Sequence, residues 1–121
     1  MTTPLTLRSI SDFRDTWLEE FFLYGRPHGK IPAEIASALM RKLDIINAAT
    51  SYRDLRSPPG NKLEALSSPL LGCYSIRVNR QYRLIFIWSG GKAKGIYLDP
   101  HTYNAHRCAM RMGTSAKKGR S

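Results

Sequence analysis

From Ser11 onward the apolar positions recur with a helical period. Phe13, Trp17, Phe21 and Tyr24 are spaced so that they share one helix face. Ser11 or Asp12 is expected to cap this helix and Gly25 to stop it. The next stretch, YGRPHGKIP, is rich in Gly and Pro and reads as a connector. Pro32 then stands where a second helix begins, a place at which its missing N–H costs nothing. Ile35, Leu39, Leu43 and Ile46 line one face of that helix, with Arg41, Lys42 and Asp44 directed elsewhere.

After TSYRDLRSPPG, a turn-rich loop, the period changes from helical to two. NKLEALS alternates imperfectly, with Leu63 and Ala65 on one side and Lys62, Glu64 and Leu66 on the other. CYSIRVNRQYRLIFIW reads as two strands around a turn at Asn79-Arg80-Gln81, SGGK as a further turn, and AKGIYLDP as a last strand ending at Pro100. The opening LTLRSI alternates weakly and is expected to be a short strand. Two helices followed by an antiparallel meander make an α+β domain.

A turn over Asn79–Gln81 fixes the register of the hairpin. Ile76, Val78, Tyr82, Leu84 and Phe86 then face the helices. Arg77 and Arg83 stand opposite one another on the other face. Like charges placed so destabilise a hairpin unless something neutralises them. An anion between them is one answer, and an internal carboxylate such as Glu64 or Asp99 is another. The two are compatible, because a carboxylate can orient an arginine that also meets phosphate.

Composition narrows the function classes. The chain has 121 residues, enough for one domain, and its 42% hydrophobic content supports a core without a metal or disulfide staple. Nineteen Lys+Arg against nine Asp+Glu give a net charge of +10, the footprint of a protein that meets a polyanion. No run is long enough to span a membrane, and MTTPLTLRSI lacks the layout of a signal peptide, so a cytoplasmic location is expected. Cys73 and Cys108 lack metal-ligand spacing and are expected to be buried or reduced thiols. Residues 104–121 are basic, with Arg107, Arg111, Lys117, Lys118 and Arg120, and are expected to form a flexible tail beyond a domain over residues 1–103.

The chemistry-bearing residues gather past the last strand, in Asp99-Pro100-His101-Thr102-Tyr103. His101 is a general acid or base, a satisfied core-edge imidazole, or plain surface. Asp99 either orients a neighbour or simply initiates a turn. Tyr103 stacks on a base, donates a proton or covers the core. No metal set or Gly-rich phosphate loop is evident.

IPAEIASALMRKLDIINAATSYRDLRSPPGNKLEAL, then YSIRVNRQYRLIFIW, then LDPHTY, resembles the HigB branch of the RelE/ParE toxin superfamily, also called plasmid maintenance killer proteins. The likeness covers about Phe13 to Tyr103. Its most specific pieces are Pro58-Pro59-Gly60-Asn61-Lys62-Leu63 and Ser75-Ile76-Arg77-Val78-Asn79 followed by Tyr82-Arg83. The resemblance implies two helices packed on a small antiparallel sheet. It further implies a type II toxin that enters the ribosomal A site and cuts mRNA there without a metal or other cofactor. The partners it implies are mRNA, rRNA and a helix-turn-helix antitoxin.

By the same resemblance Arg83 stabilises the phosphate, while Asp99 and His101 match the outer residues of the usual Asp-Tyr-His. Lys62, Arg77 and Arg80 are candidates for holding RNA. The chain departs from the pattern at Glu64, where the family commonly has His, at Ser67, where it has Lys, and at Pro100, where it has Tyr. Glu64 is the candidate replacement base and Tyr103 the candidate replacement tyrosine. Two other readings stay open: a non-cleaving toxin of the gyrase-inhibiting ParE type, and a catalytically inactive relative that binds an antitoxin.

Overall fold

The computed structural model describes residues 6–66 and 73–100. Helix α1 spans Thr16–Tyr24 and α2 spans Ala36–Ala48. A four-stranded antiparallel sheet follows, with β1 (Glu64–Ala65), β2 (Cys73–Arg77), β3 (Arg83–Ser89) and β4 (Lys92–Asp99) side by side in that order. The sheet is a meander, so each strand pairs with the one that precedes it.

The hairpin register is the one the alternation predicts. Ile76 pairs with Leu84 and Arg77 with Arg83. Ile76, Val78, Leu84 and Phe86 enter one core with Ile35, Leu39, Leu43 and Ile46 of the second helical segment, and Tyr82 packs against its edge. Each fully buried aliphatic side chain of this kind contributes about 1.5–3 kcal/mol. The turn from β3 to β4 needs left-handed backbone, which Gly90 and Gly91 supply at φ 61° and 76°.

The N-terminal segment departs from expectation. Rather than forming a strand, it makes isolated parallel bridges to β4, Ile10 to Ala93 and Phe13 to Ile96. A register irregularity in the β3–β4 ladder interrupts regular pairing at this point, near Gly95. Asp12 fills the gap, its Oδ1 accepting from the Gly95 N–H at 2.7 Å. Because residues 9–14 bond to β4, α1 starts later than Ser11 or Asp12 would allow, with Asp15 at its N-cap. The buried face of α1 is consequently Leu18, Phe21 and Phe22, while Trp17 is half-buried and Tyr24 is exposed. Gly25 does end the helix, in left-handed conformation at φ 72°.

The start of the second helical segment is a 3₁₀ turn, Ala33–Ile35, leading into α2. Its predicted stripe is buried throughout, but Lys42 is buried as well, against expectation. The turn-rich loop contains two further 3₁₀ turns, Tyr52–Arg56 and Pro59–Asn61. Cys73 is buried, as expected, but it is disulfide-bonded rather than a reduced thiol. Such pairing depends on a Cα approach that spacing along the chain does not reveal. Cys108, the tail, His101 and Tyr103 lie outside the described residues.

Asn47 ties the N-terminal segment to α2. Its Oδ1 accepts from Arg8 N–H at 2.6 Å and Ile10 N–H at 3.1 Å, and its Nδ2 donates to the Thr6 carbonyl at 2.8 Å. Asn47→Ala strands the buried Ile10 amide, so denaturant melts are expected to show a loss of about 2 kcal/mol. Ser51 caps the first of the loop's 3₁₀ turns, and Asp54 completes the capping box by accepting from the Ser51 N–H. The Thr50 N–H and hydroxyl, with a weaker contribution from Ser51 N–H, hold its carboxyl below the usual range. A carboxyl depressed by folding contributes stability above its unfolded pKa and loses it as pH falls through the folded one. Asp54→Ala is expected to melt earlier than wild type at pH 7, with the gap closing as pH falls below the ordinary carboxylate range.

Candidate active site

Arg77 and Arg83 are cross-strand partners, and the conflict between their charges is resolved by direction. The Arg77 Nε turns back onto the carbonyl of Asn79, at 3.1 Å. Arg83 instead lies along the sheet and is only 7% exposed. Its Nε donates to Ser75 Oγ at 3.0 Å and its Nη2 to the Lys62 carbonyl at 2.7 Å. The Glu64 carboxylate stands 3.8 Å from the same Nη2 and is itself largely exposed. A guanidinium held at Nε and Nη2 has a fixed plane. Its Nη1 makes no hydrogen bond among the described residues.

The carbonyl that meets Arg83 is aimed by an uncommon backbone conformation. Lys62 adopts left-handed φ 48°, ψ 52°, which costs a non-glycine residue about 1 kcal/mol. Asn61, fully buried, holds the loop in that shape. Its Nδ2 donates to the carbonyls of Leu55 and Ser57, both at 3.1 Å, and its Oδ1 accepts from the Lys42 ammonium. Burial holds the Lys42 ammonium below the usual lysine value, and the neighbouring Arg41 acts in the same direction. A chain of contacts therefore runs from α2 through Lys42, Asn61 and Lys62 to Arg83.

Asp99 is the last residue of β4, directly across the ladder from Arg83, and it is fully buried. It is a ladder residue, not merely the start of a turn. The four strands thus bring together Glu64, Ser75, Arg77, Arg83 and Asp99, five residues spread over 36 positions of the chain, through the pairs Glu64–Ser75, Arg77–Arg83 and Arg83–Asp99. Arg80 is exposed in the β2–β3 turn and lines a cavity of about 620 Å³ with Asn79, Gln81 and Pro100. The Lys62 side chain is also exposed. His101 and Tyr103, the expected acid and the replacement tyrosine, fall outside the described residues, as does Ser67.

Ser75, Asn61 and Lys42 went unrecognised in the sequence as supports of this site. Asn61 belongs to the Pro-Pro-Gly-Asn-Lys motif, but nothing in the motif says that its amide is buried. Ser75 shares the Arg77 face of β2 by alternation, and nothing in that alternation marks it as a partner for Arg83. Lys42 lay one position off an apolar stripe, where a lysine ordinarily reaches solvent.

Comparison with known proteins identifies the family. Residues 11–101 match the family model of HigB-like toxins, described as the RelE-like toxin of the type II toxin–antitoxin system HigB. Toxin HigB-1 of Vibrio cholerae is 53% identical over 92 residues, which cover 76% of this chain and 97% of that protein. An uncharacterized protein of Haemophilus influenzae is 50% identical over 92 residues, covering 76% of this chain and 91% of its own length. With two helices, a four-stranded antiparallel sheet and a family match over residues 11–101, the chain belongs to the HigB-like family of RelE-like toxins of type II toxin–antitoxin systems.

Proposed function

We propose that this toxin is a ribosome-dependent mRNA endonuclease acting in the cytoplasm. The observation that carries the reading is Arg83, a guanidinium fixed in plane by Ser75 and Lys62 with Glu64 beside it and Asp99 across the ladder. Charge builds on a phosphate as it is attacked, and a cation already oriented for it pays no reorganisation at that moment. The net charge of +10 favours a ribosomal surface and an RNA substrate.

The proposed reaction uses no metal. Glu64 takes the proton of a 2′-OH, whose oxygen attacks the adjacent phosphorus. The bond from phosphorus to the 5′-oxygen breaks, and His101 supplies the proton to that leaving oxygen. The products are a 2′,3′-cyclic phosphate and a 5′-hydroxyl. Arg83 stabilises the phosphorane charge, Asp99 orients the strand end, and Tyr103 serves in place of the tyrosine replaced by Pro100. Lys62, Arg77 and Arg80 hold the RNA backbone. As a type II toxin the chain has an antitoxin partner, which we take to be a helix-turn-helix protein.

Induced expression in a bacterium, followed by primer extension on translated mRNAs, tests the reading. Wild type is expected to leave cuts within codons, and Arg83→Ala to reduce them about 100- to 1,000-fold. Arg83→Lys is expected not to rescue, because lysine cannot bridge Ser75 and the Lys62 carbonyl in one plane. Growth arrest with intact mRNA in the wild type would defeat the proposal and favour a binding-type toxin. Asn61→Ala leaves the Lys42 ammonium buried without its oxygen and releases the Lys62 loop. It is expected to cost about 2–4 kcal/mol in denaturant melts and to lower cleavage more than its loss of folded protein accounts for.

A further inference from the structure

A second cavity, of about 390 Å³, is within the size range of small-ligand sites. It is cut between the turn entering α1, the α1–α2 connector and the ends of β3 and β4, and Pro100 lines both cavities. Its walls include Arg14, Trp17, Lys30, Tyr82 and Asp99. The Trp17 indole is stacked on His28, with ring centroids 4.9 Å apart and planes 12° from parallel. The His28 ring is fixed in turn, since its Nδ1 accepts from the Lys30 N–H at 3.1 Å. Trp17 and Tyr82 are both half-buried, so their orientation is set by the core while part of each ring stays accessible.

The charges of this cleft are unequal. Arg14 is committed to Asp15 at 2.9 Å and lies over the Tyr97 ring at 4.2 Å. Lys30 is exposed and forms no ion pair among the described residues. Preset aromatic rings beside an exposed cation suit a planar, anionic ligand. Single-stranded nucleic acid has that chemistry, a base that stacks and a phosphate that pairs. Asp99 and Pro100 join the cleft to the strand end that carries Arg83.

We propose that this cleft is a nucleotide subsite of the RNA, in which a base flanking the cleaved phosphate stacks against Trp17 and Tyr82 while Lys30 meets a neighbouring phosphate. The proposal rests on the reading of the protein as an RNA endonuclease. The subsite sets how the strand is held beside Pro100, in a cleft whose lining does not include Arg80, and so bears on which nucleotides are cut.

The test uses the full chain and a 2′-O-methyl hexanucleotide containing 4-thiouracil, which binds without being cleaved. Trp17→Ala is expected to weaken binding roughly 10-fold, and Trp17→Phe to keep it within about 3-fold of wild type. Lys30→Glu, on an exposed side chain that folding does not need, is expected to weaken binding several-fold and to reduce the salt dependence by about one counterion. Photo-crosslinks are expected on the peptide containing Trp17. Unchanged affinity in both Trp17→Ala and Lys30→Glu, crosslinks confined to other peptides, or no binding by the wild type would overturn the subsite. So would variants that bind RNA normally but no longer bind the antitoxin, since the cleft would then belong to a protein partner. The endonuclease reading fails separately, through intact mRNA in cells that express the wild-type chain.

Discussion

A guanidinium buried in a β-sheet must have its charge and its donors met, and much of this structure is organised by that demand at Arg83. Desolvating a charge without partners costs several kcal/mol, more than most single contacts return. Here the partners come from three directions: a hydroxyl on β2, a carbonyl from the loop before β1, and a carboxylate on β1. Each is useful only if its element is held in place. The loop is therefore braced to α2 through Asn61 and Lys42, and the ladder from β1 to β4 keeps Glu64, Ser75 and Asp99 in register with the arginine.

The same arrangement gives the departures from the family pattern a physical setting. Glu64 stands where the family commonly has a histidine, and its carboxylate is near enough to Arg83 to share its field while staying open to solvent. Pro100 cannot extend the ladder, so β4 ends at Asp99, and Pro100 itself lines two cavities. One is edged by the exposed Arg80 turn and the other by the Trp17 platform. Each cavity thus has a cation in its lining, Arg80 in one and Lys30 in the other.

The local elements were legible because their causes are local. The stripe Ile35, Leu39, Leu43 and Ile46 is buried as its spacing implied, and the Asn79–Gln81 turn delivered the Arg77–Arg83 register. Where longer-range bonding competes, local signals do not decide the element. Helix α1 begins at Thr16 because the residues before it hydrogen-bond to β4, which no capping signal near Ser11 could announce. The weak alternation of LTLRSI likewise became isolated bridges, because the irregularity in β4 leaves no continuous edge for a strand.

By itself, then, the sequence determined the α+β class, the hairpin register and the pairing of two arginines, since periodicity and turn length act over a few residues. It also carried the motifs that mark the toxin family. Only the tertiary structure decided how that pair was reconciled. Whether Arg77 and Arg83 share an anion or find internal partners depends on a carbonyl at Lys62 and a hydroxyl at Ser75, brought close by strand pairing and a buried asparagine. The Trp17 cleft was equally hidden, because Trp17, Lys30, Tyr82 and Asp99 lie on separate elements. Their proximity comes from how those elements pack, and no spacing along the chain encodes it.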